Sequence, residues 1–383
     1  MGYTTAQSNA LAIVPKFTAF LSFFGSATII TEVLYFDRQK LHKAYHRLIL
    51  VMAIFDLFGS TGKFLSSWPI PRDIEGVSFA VGTTQSCAFQ GFIIQVGVGE
   101  PMMTMCLSIY FFLVCHQSWS EDKIRKRAEP FFYAFAILLA LITSITSLAL
   151  DLFNFSGIWC WIAASPAGCR QAWENDGVST CDRGKNSGIF EWAFYYAWIW
   201  FAIVFVMVLM ILLYMKVRKL ETANLEHRFV SMEMNHNDRN KHRSKSKKVA
   251  TQGLLFVGSL YLTWMFPTIN RIWGEAATGE VPFGIVLMHA LLSPSQGFWN
   301  YLVYARPRYL RSREESGSSA NCAWQCLKNF FRRDDDLMNT EEDDEEEARM
   351  EFRQFKMGEG IRNVDTGDQF QEEHRVEEKR ESS

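Results

Sequence analysis

The sequence predicts an all-α fold, a seven-transmembrane helix bundle with its N-terminus outside the cytosol and a disordered, acidic tail inside. Three observations carry this: seven apolar stretches of spanning length, Lys and Arg gathered in alternate loops, and a charged C-terminal tail. Of 383 residues, 49% are hydrophobic and 15% aromatic despite that tail, so the apolar residues are concentrated upstream of it. The formal charge of −2 conceals basic loops and an acidic tail that nearly cancel.

A hydrocarbon core of about 30 Å needs about 20 apolar residues at 1.5 Å each. Stretches of that kind occur at 17–36, 48–68, 88–114, 131–153, 190–217, 249–273 and 281–305, and none shows the charged face of a soluble helix. The chain is accordingly divided into an extracellular N-terminus (1–16), the seven-helix domain (17–305), a juxtamembrane amphipathic segment (306–333) and a charged cytosolic tail (334–383).

Positively charged loops next to spans stay in the cytosol. The first loop holds Arg38, Lys40, Lys43 and Arg47, the third holds Lys123, Arg125, Lys126 and Arg127, and the fifth is basic from Lys216 to Lys248. The second has only Arg72, and the fourth spreads Arg170, Arg183 and Lys185 among acids. The odd loops therefore lie inside and the N-terminus outside. Residues 1–15 lack a basic segment followed by an apolar one, so the first span is expected to act as its own signal.

Four cysteines, Cys87, Cys160, Cys169 and Cys181, fall on the outer side, where disulfides persist. The pairs Cys87–Cys160 and Cys169–Cys181 are expected, with free thiols the alternative, because count and spacing do not fix connectivity. Cys106 and Cys115 read as packing residues. Asn154-Phe155-Ser156 is an outer glycosylation sequon, close to the membrane.

Ionisable side chains at membrane depth are costly and face the bundle interior. Asp56, Lys63 and Glu100 lie mid-span, with Glu32, Arg271 and His289 nearer the ends. Each reads either as a functional group or as one member of a network that holds helices together. Pro267 and Pro294 remove backbone hydrogen bonds and mark hinges in the last two spans. Small and amide side chains in Ser293-Pro294-Ser295-Gln296-Gly297-Phe298-Trp299-Asn300 permit close helix approach and bonding across the bundle.

Past the last span, Trp324, Leu327, Phe330 and Phe331 recur at near-helical spacing, and Cys322 and Cys326 are palmitoylation candidates. Residues 334–347 are mostly acidic, and the tail beyond is expected to be disordered.

The outer Cys87 with the Trp159-Cys160-Trp161 loop resembles G-protein-coupled receptors of the cyclic-AMP-receptor-like class. So do the run Cys87-Ala88-Phe89-Gln90-Gly91-Phe92, Asp56, and Gln296-Gly297-Phe298-Trp299-Asn300 leading into Tyr304-Ala305-Arg306-Pro307. The resemblance spans about residues 10 to 310. The third span lacks the acidic-Arg-aromatic triplet of rhodopsin-like receptors, and the seventh lacks their Asn-Pro-x-x-Tyr. The resemblance implies a plasma-membrane receptor for an extracellular small molecule that activates a heterotrimeric G protein, with no cofactor. It also implies phosphorylation of tail residues Ser312, Ser316, Ser318, Ser319 and Thr340.

A phosphate-bearing ligand would need converging cations, for which Arg72, Arg170, Arg183, Lys185 and Arg271 are candidates. Asp56, Glu100, Gln296 and Asn300 are expected to form the polar network that differs between off and on states. The inner surface from His116 to Arg127, residues 239–248 and the segment after Tyr304 would receive the G protein, while clustered basic residues also bind anionic lipid. A transporter using Asp56, Lys63 and Glu100 is the rival, weakened by the lack of an internal repeat. A retinal protein would need a lysine in 281–305, which has none. No His-Glu-x-x-His or Gly-x-Ser-x-Gly appears, so no enzyme is expected, and the short basic loop lacks the interleaved aromatics of a nucleic-acid binder.

Overall fold

The computed structural model describes residues 3–117, 119–166, 169, 181–230, 236–276 and 281–316. The first span is a helix over Thr5–Thr31 continued by a wide π turn, Glu32–Phe36. It starts well before residue 17 because Thr4 and Gln7 form a capping box, each side chain bonding the other's backbone N–H. The second span is Ala44–Leu65. The third runs Thr84–Val96 and Gly99–Cys115, and the fourth, Glu129–Ala149, comes after a short helix at Glu121–Arg127. The fifth comprises Ser187–Glu191, a π turn at Trp192–Tyr196, and Ala197–Val230. The sixth is His236–Ala276 with Pro267 inside. The seventh is Phe283–Leu292, a tight turn at Ser293–Ser295, and Gln296–Ser316.

Five of these segments are long and apolar enough to cross a membrane by length and composition alone. The sixth and seventh are not among those five, and the seventh carries the polar run Ser293-Pro294-Ser295-Gln296 in its middle. The seventh helix also runs unbroken through Ala305 to Ser316, so no joint separates the span from the start of the juxtamembrane segment. Cys322, Cys326 and the acidic tail lie outside the described residues, as do Arg170 and the side chains of 239–248 and Ser312.

The third span is the central one: 83% of its apolar window is buried, against 33% in the fourth and fifth. It packs on the second, fourth and fifth spans, while the first packs on the second and seventh, and the sixth on the fifth and seventh. The outer faces carry Phe17, Phe24, Ile142, Ile145, Val208 and Ile211, apolar side chains that suit lipid and not water. Close approach has a specific cause at the first and seventh spans, where a Cβ on Gly25 would stand 2.9 Å from the Gly297 carbonyl.

On the outer side, Phe153–Phe155 pairs antiparallel with Cys160–Ile162, Asn154 opposite Trp161. This hairpin is pinned to the third span by the Cys87–Cys160 disulfide, and Cys169–Cys181 closes the second bridge. Gly91 leaves room for Phe153, whose ring would lie 2.6 Å from an added Cβ. Asn154 is buried and its amide nitrogen donates to the carbonyls of Asp151 (3.0 Å) and Ala163 (2.9 Å). Both amide hydrogens are thus in use, whereas an N-linked sugar replaces one of them, so a glycan at Asn154 conflicts with this packing.

Candidate functional site

Two glutamines of the third span set the hairpin's height. Gln90 accepts from the Cys160 N–H at 3.0 Å and donates to the carbonyls of Gly62 (2.9 Å) and Ser66 (2.8 Å). Gln95 accepts from the Trp161 indole at 2.9 Å and donates to Thr143 and the Phe194 carbonyl, each at 3.1 Å. Every polar atom of these buried amides that could be left bare is engaged, which fixes where Trp161 sits.

Beneath the hairpin lies a narrow cavity walled by Trp159, Trp161, Tyr195, Tyr196 and Trp264, with Lys63, Arg271 and His289 among its polar lining. The π turn of the fifth span brings consecutive tyrosines inward: Tyr195 and Tyr196 are both buried, Tyr195 edge-on to Trp161 and Trp264. Lys63 donates to the Ser293 carbonyl at 2.8 Å and stands 5.5 Å from the centre of the Trp264 ring. Arg271 pairs with Glu191 at 3.2 Å and lies over Trp161 and Tyr196. His289 Nδ1 bonds the Asn270 amide at 2.9 Å.

Of the expected cations among the described residues, only Arg271 lines the cavity. Arg72 is exposed and donates to the Val81 carbonyl, Arg183 is tied to Asp151 at 2.7 Å, and Lys185 is exposed. Lys63, read from the sequence as an intramembrane charge of unassigned role, is the second cavity cation. Sequence reasoning also missed Gln90, Gln95 and the aromatic walls. The Trp-Cys-Trp loop was the signal for Trp161, but nothing in the sequence brings Tyr195 or Trp264 to it.

The structure brings all four polar-network residues together. Asn300 donates to Asp56 (2.8 Å) and Glu100 (3.2 Å) and accepts from Gln296 (3.2 Å). Gln296 in turn accepts from Thr263 of the sixth span, and Thr104 donates to Glu100 at 3.0 Å. One amide therefore links the second, third and seventh spans, and its neighbour reaches the sixth.

The inner end is closed by charge pairs. Glu32 Oε1 accepts from Lys40 (2.6 Å), Tyr304 (3.0 Å) and Arg308 (2.6 Å). Burial pulls Arg308 towards neutrality, but the Glu32 charge opposite outweighs it and holds the guanidinium above its ordinary pKa. Arg47 grips Glu129 through two bonds, 2.6 and 2.7 Å, and Tyr133 donates to the same carboxylate. Glu121 accepts from the Ala44 N–H at the start of the second span and from Tyr110 of the third, both at 3.0 Å.

Seven packed spans, a cavity at one end, a buried polar core and a rim of charge pairs at the other make up the bundle. The crystal structure of squid rhodopsin has the same fold, with a TM-score of 0.56 over 90% of this chain and 92% of that one at 14% identity. The family described as slime mold cyclic AMP receptor matches residues 4–174, which take in the first four spans and the hairpin. Cyclic AMP receptor 1 of Dictyostelium discoideum is 27% identical over 198 residues, 52% of this chain. The aligned part makes up 40% of that relative's length. The resemblance to the cyclic-AMP-receptor-like class read from the sequence is thus found again in direct comparison.

Proposed function

We propose that this chain is a plasma-membrane receptor, N-terminus outside, that binds an extracellular small molecule in the cavity and activates a heterotrimeric G protein through movement of its spans. The observation that carries the proposal is the unbroken line of contacts along the seventh span. Ser293 meets Lys63 at the cavity, Gln296 and Asn300 hold the buried core, and Tyr304 and Arg308 hold the inner rim. A ligand that favours one packing over another at the top shifts the population of inner-end arrangements. The match to a receptor family accords with this non-enzymatic role. The name of that family makes cyclic AMP the first ligand to try.

The test is guanine-nucleotide exchange on a panel of heterotrimeric G proteins by the purified protein in lipid discs, with and without cyclic AMP or cell extract. Ligand-dependent exchange that is lost on deleting residues 239–248 supports the receptor. Folded protein that never accelerates exchange but passes ions or solutes through the same discs would favour a transporter using Asp56, Lys63 and Glu100.

A further inference from the structure

We infer that Lys63 is the ligand sensor: it takes the acidic group of a small planar acid held between the cavity's aromatic rings, and in doing so releases the Ser293 carbonyl of the seventh span. The inference deepens the receptor reading above and rests on it.

Lys63 is buried, and among the described residues no carboxylate lies within ion-pair distance of it. Its hydrogen bond goes to a backbone carbonyl instead, at 2.8 Å. An ammonium has three donors, and a charge at this depth is stable only when well partnered. The side chain lines the cavity, so an anion entering there meets a cation whose one direct hydrogen-bond partner among the described residues is neutral. The flat walls, Trp161, Tyr195, Tyr196 and Trp264, present ring faces and edges to a planar body. Arg271 is already held by Glu191, whereas Lys63 feels Asp56 and Glu100 only at longer range and has no direct ion pair among the described residues.

The carbonyl that Lys63 binds is available for a reason. In a regular helix the Ser293 oxygen would accept from the N–H of Gly297, four residues on. Here that N–H donates to Ser22 of the first span at 2.9 Å, and the seventh helix tightens over Ser293–Ser295. Over the tight turn the Ser293 oxygen accepts from a nearer N–H, three residues on, and Lys63 adds a second donor to it. When an acid draws Lys63 away, that oxygen loses its second donor, which favours a regular turn in which Gly297 donates to Ser293 in place of Ser22. That rotates the segment carrying Gln296 and Asn300, whose bonds fix Asp56 and Glu100.

The experiment uses the full chain in lipid discs, with tryptophan fluorescence reporting binding. Two pairs of probes differ in the acid group: cyclic AMP with adenosine, and indole-3-acetate with indole-3-acetamide. The acid of at least one pair should bind at least tenfold more tightly than its neutral partner, the worth of a hydrogen bond to a charged group. Lys63→Met should erase that preference with the melting temperature retained, and Lys63→Arg should keep part of it. Hydrogen exchange at the Gly297 amide should change on adding the acid to wild type and stay put in Lys63→Met. Equal binding of acid and neutral forms by wild type overturns the inference without any variant, as does no binding by either acid at millimolar concentration. A folded Lys63→Met that still prefers the acid also overturns it. Lys63-dependent acid binding without nucleotide exchange would support the sensor and count against the G-protein reading.

Discussion

Removing the Asn300 amide should uncouple three spans at once, and the size of the effect can be worked from its contacts. Its nitrogen serves Asp56 at 2.8 Å and Glu100 at 3.2 Å, its oxygen accepts from Gln296, and all four side chains are buried. Hydrogen bonds to charged groups contribute about 1.5–3 kcal/mol each in soluble proteins. Bonds between membrane helices average about 0.6 kcal/mol, because the unfolded helices also find partners in lipid. Three such contacts then place Asn300→Ala at about 2–4 kcal/mol, the upper part of the range reflecting two carboxylates stripped of their common donor. Reversible denaturant unfolding in mixed micelles measures it, with the double variant Asp56→Asn/Asn300→Asp as the control. The exchanged pair restores the donor facing position 56 but sets a carboxylate at position 300 against Glu100, so it should recover only part of the loss. A loss below about 0.5 kcal/mol for Asn300→Ala, the scatter of a neutral surface change, would refute the claim that this amide holds the core together.

Reducing the Cys87–Cys160 bridge opens a loop between residues 73 apart, a loss of about 2–4 kcal/mol, and it should lower the melting temperature and widen the spread of probe affinities. An unchanged melting temperature in reductant would contradict it. Arg47→Ala leaves the Glu129 carboxylate without its two-pronged partner, so a double-mutant cycle with Glu129→Gln should give a coupling above about 1 kcal/mol; additive losses would show the pair to be idle. Gly25→Leu should push the first span off the seventh and lower the melting temperature by far more than Gly284→Ala, where nothing lies within 4 Å of an added Cβ. Equal effects would refute the close-packing argument.

The range of the forces involved decides which features were legible in the sequence. Spans and inside loops are written as composition over about 20 residues, and both disulfides agree with the side on which each cysteine was placed. The polar core was legible too, because Asp56, Glu100, Gln296 and Asn300 are each anomalous in an apolar helix, and anomalies buried together must satisfy one another. The cavity was not. Trp161, Tyr195 and Trp264 are ordinary residues for membrane helices, and their convergence depends on a π turn in one span and a hairpin hung from Gln90 and Gln95. Arg72, Arg183 and Lys185 were named as ligand cations on charge and side alone, and charge says nothing about direction. Residue 17 was placed as the first span's start by hydropathy, whereas the helix begins where Thr4 and Gln7 cap it.

The placing of the seventh span's partners bears on how a signal could be all-or-none. At the outer level it is held by Ser22 and Lys63, in the middle by Asp56 and Glu100, and at the inner level by Glu32, all on the first three spans. At the inner level one oxygen of Glu32 accepts three donors while Oε2 has no partner among the described residues, so a rotation that carries Tyr304 and Arg308 along finds an acceptor waiting. At the outer level Gly297 likewise has an alternative acceptor in the Ser293 carbonyl. In the middle Asn300 is engaged with both carboxylates and with Gln296, so a rotation of the helix has to break those bonds. Below the tight turn the helix is continuous from Gln296 to Ser316, so its middle and inner contacts move together. On the proposed receptor reading, Asn300 is the contact that must break, and a ligand that frees Ser293 would bias the rotation of the helix below it.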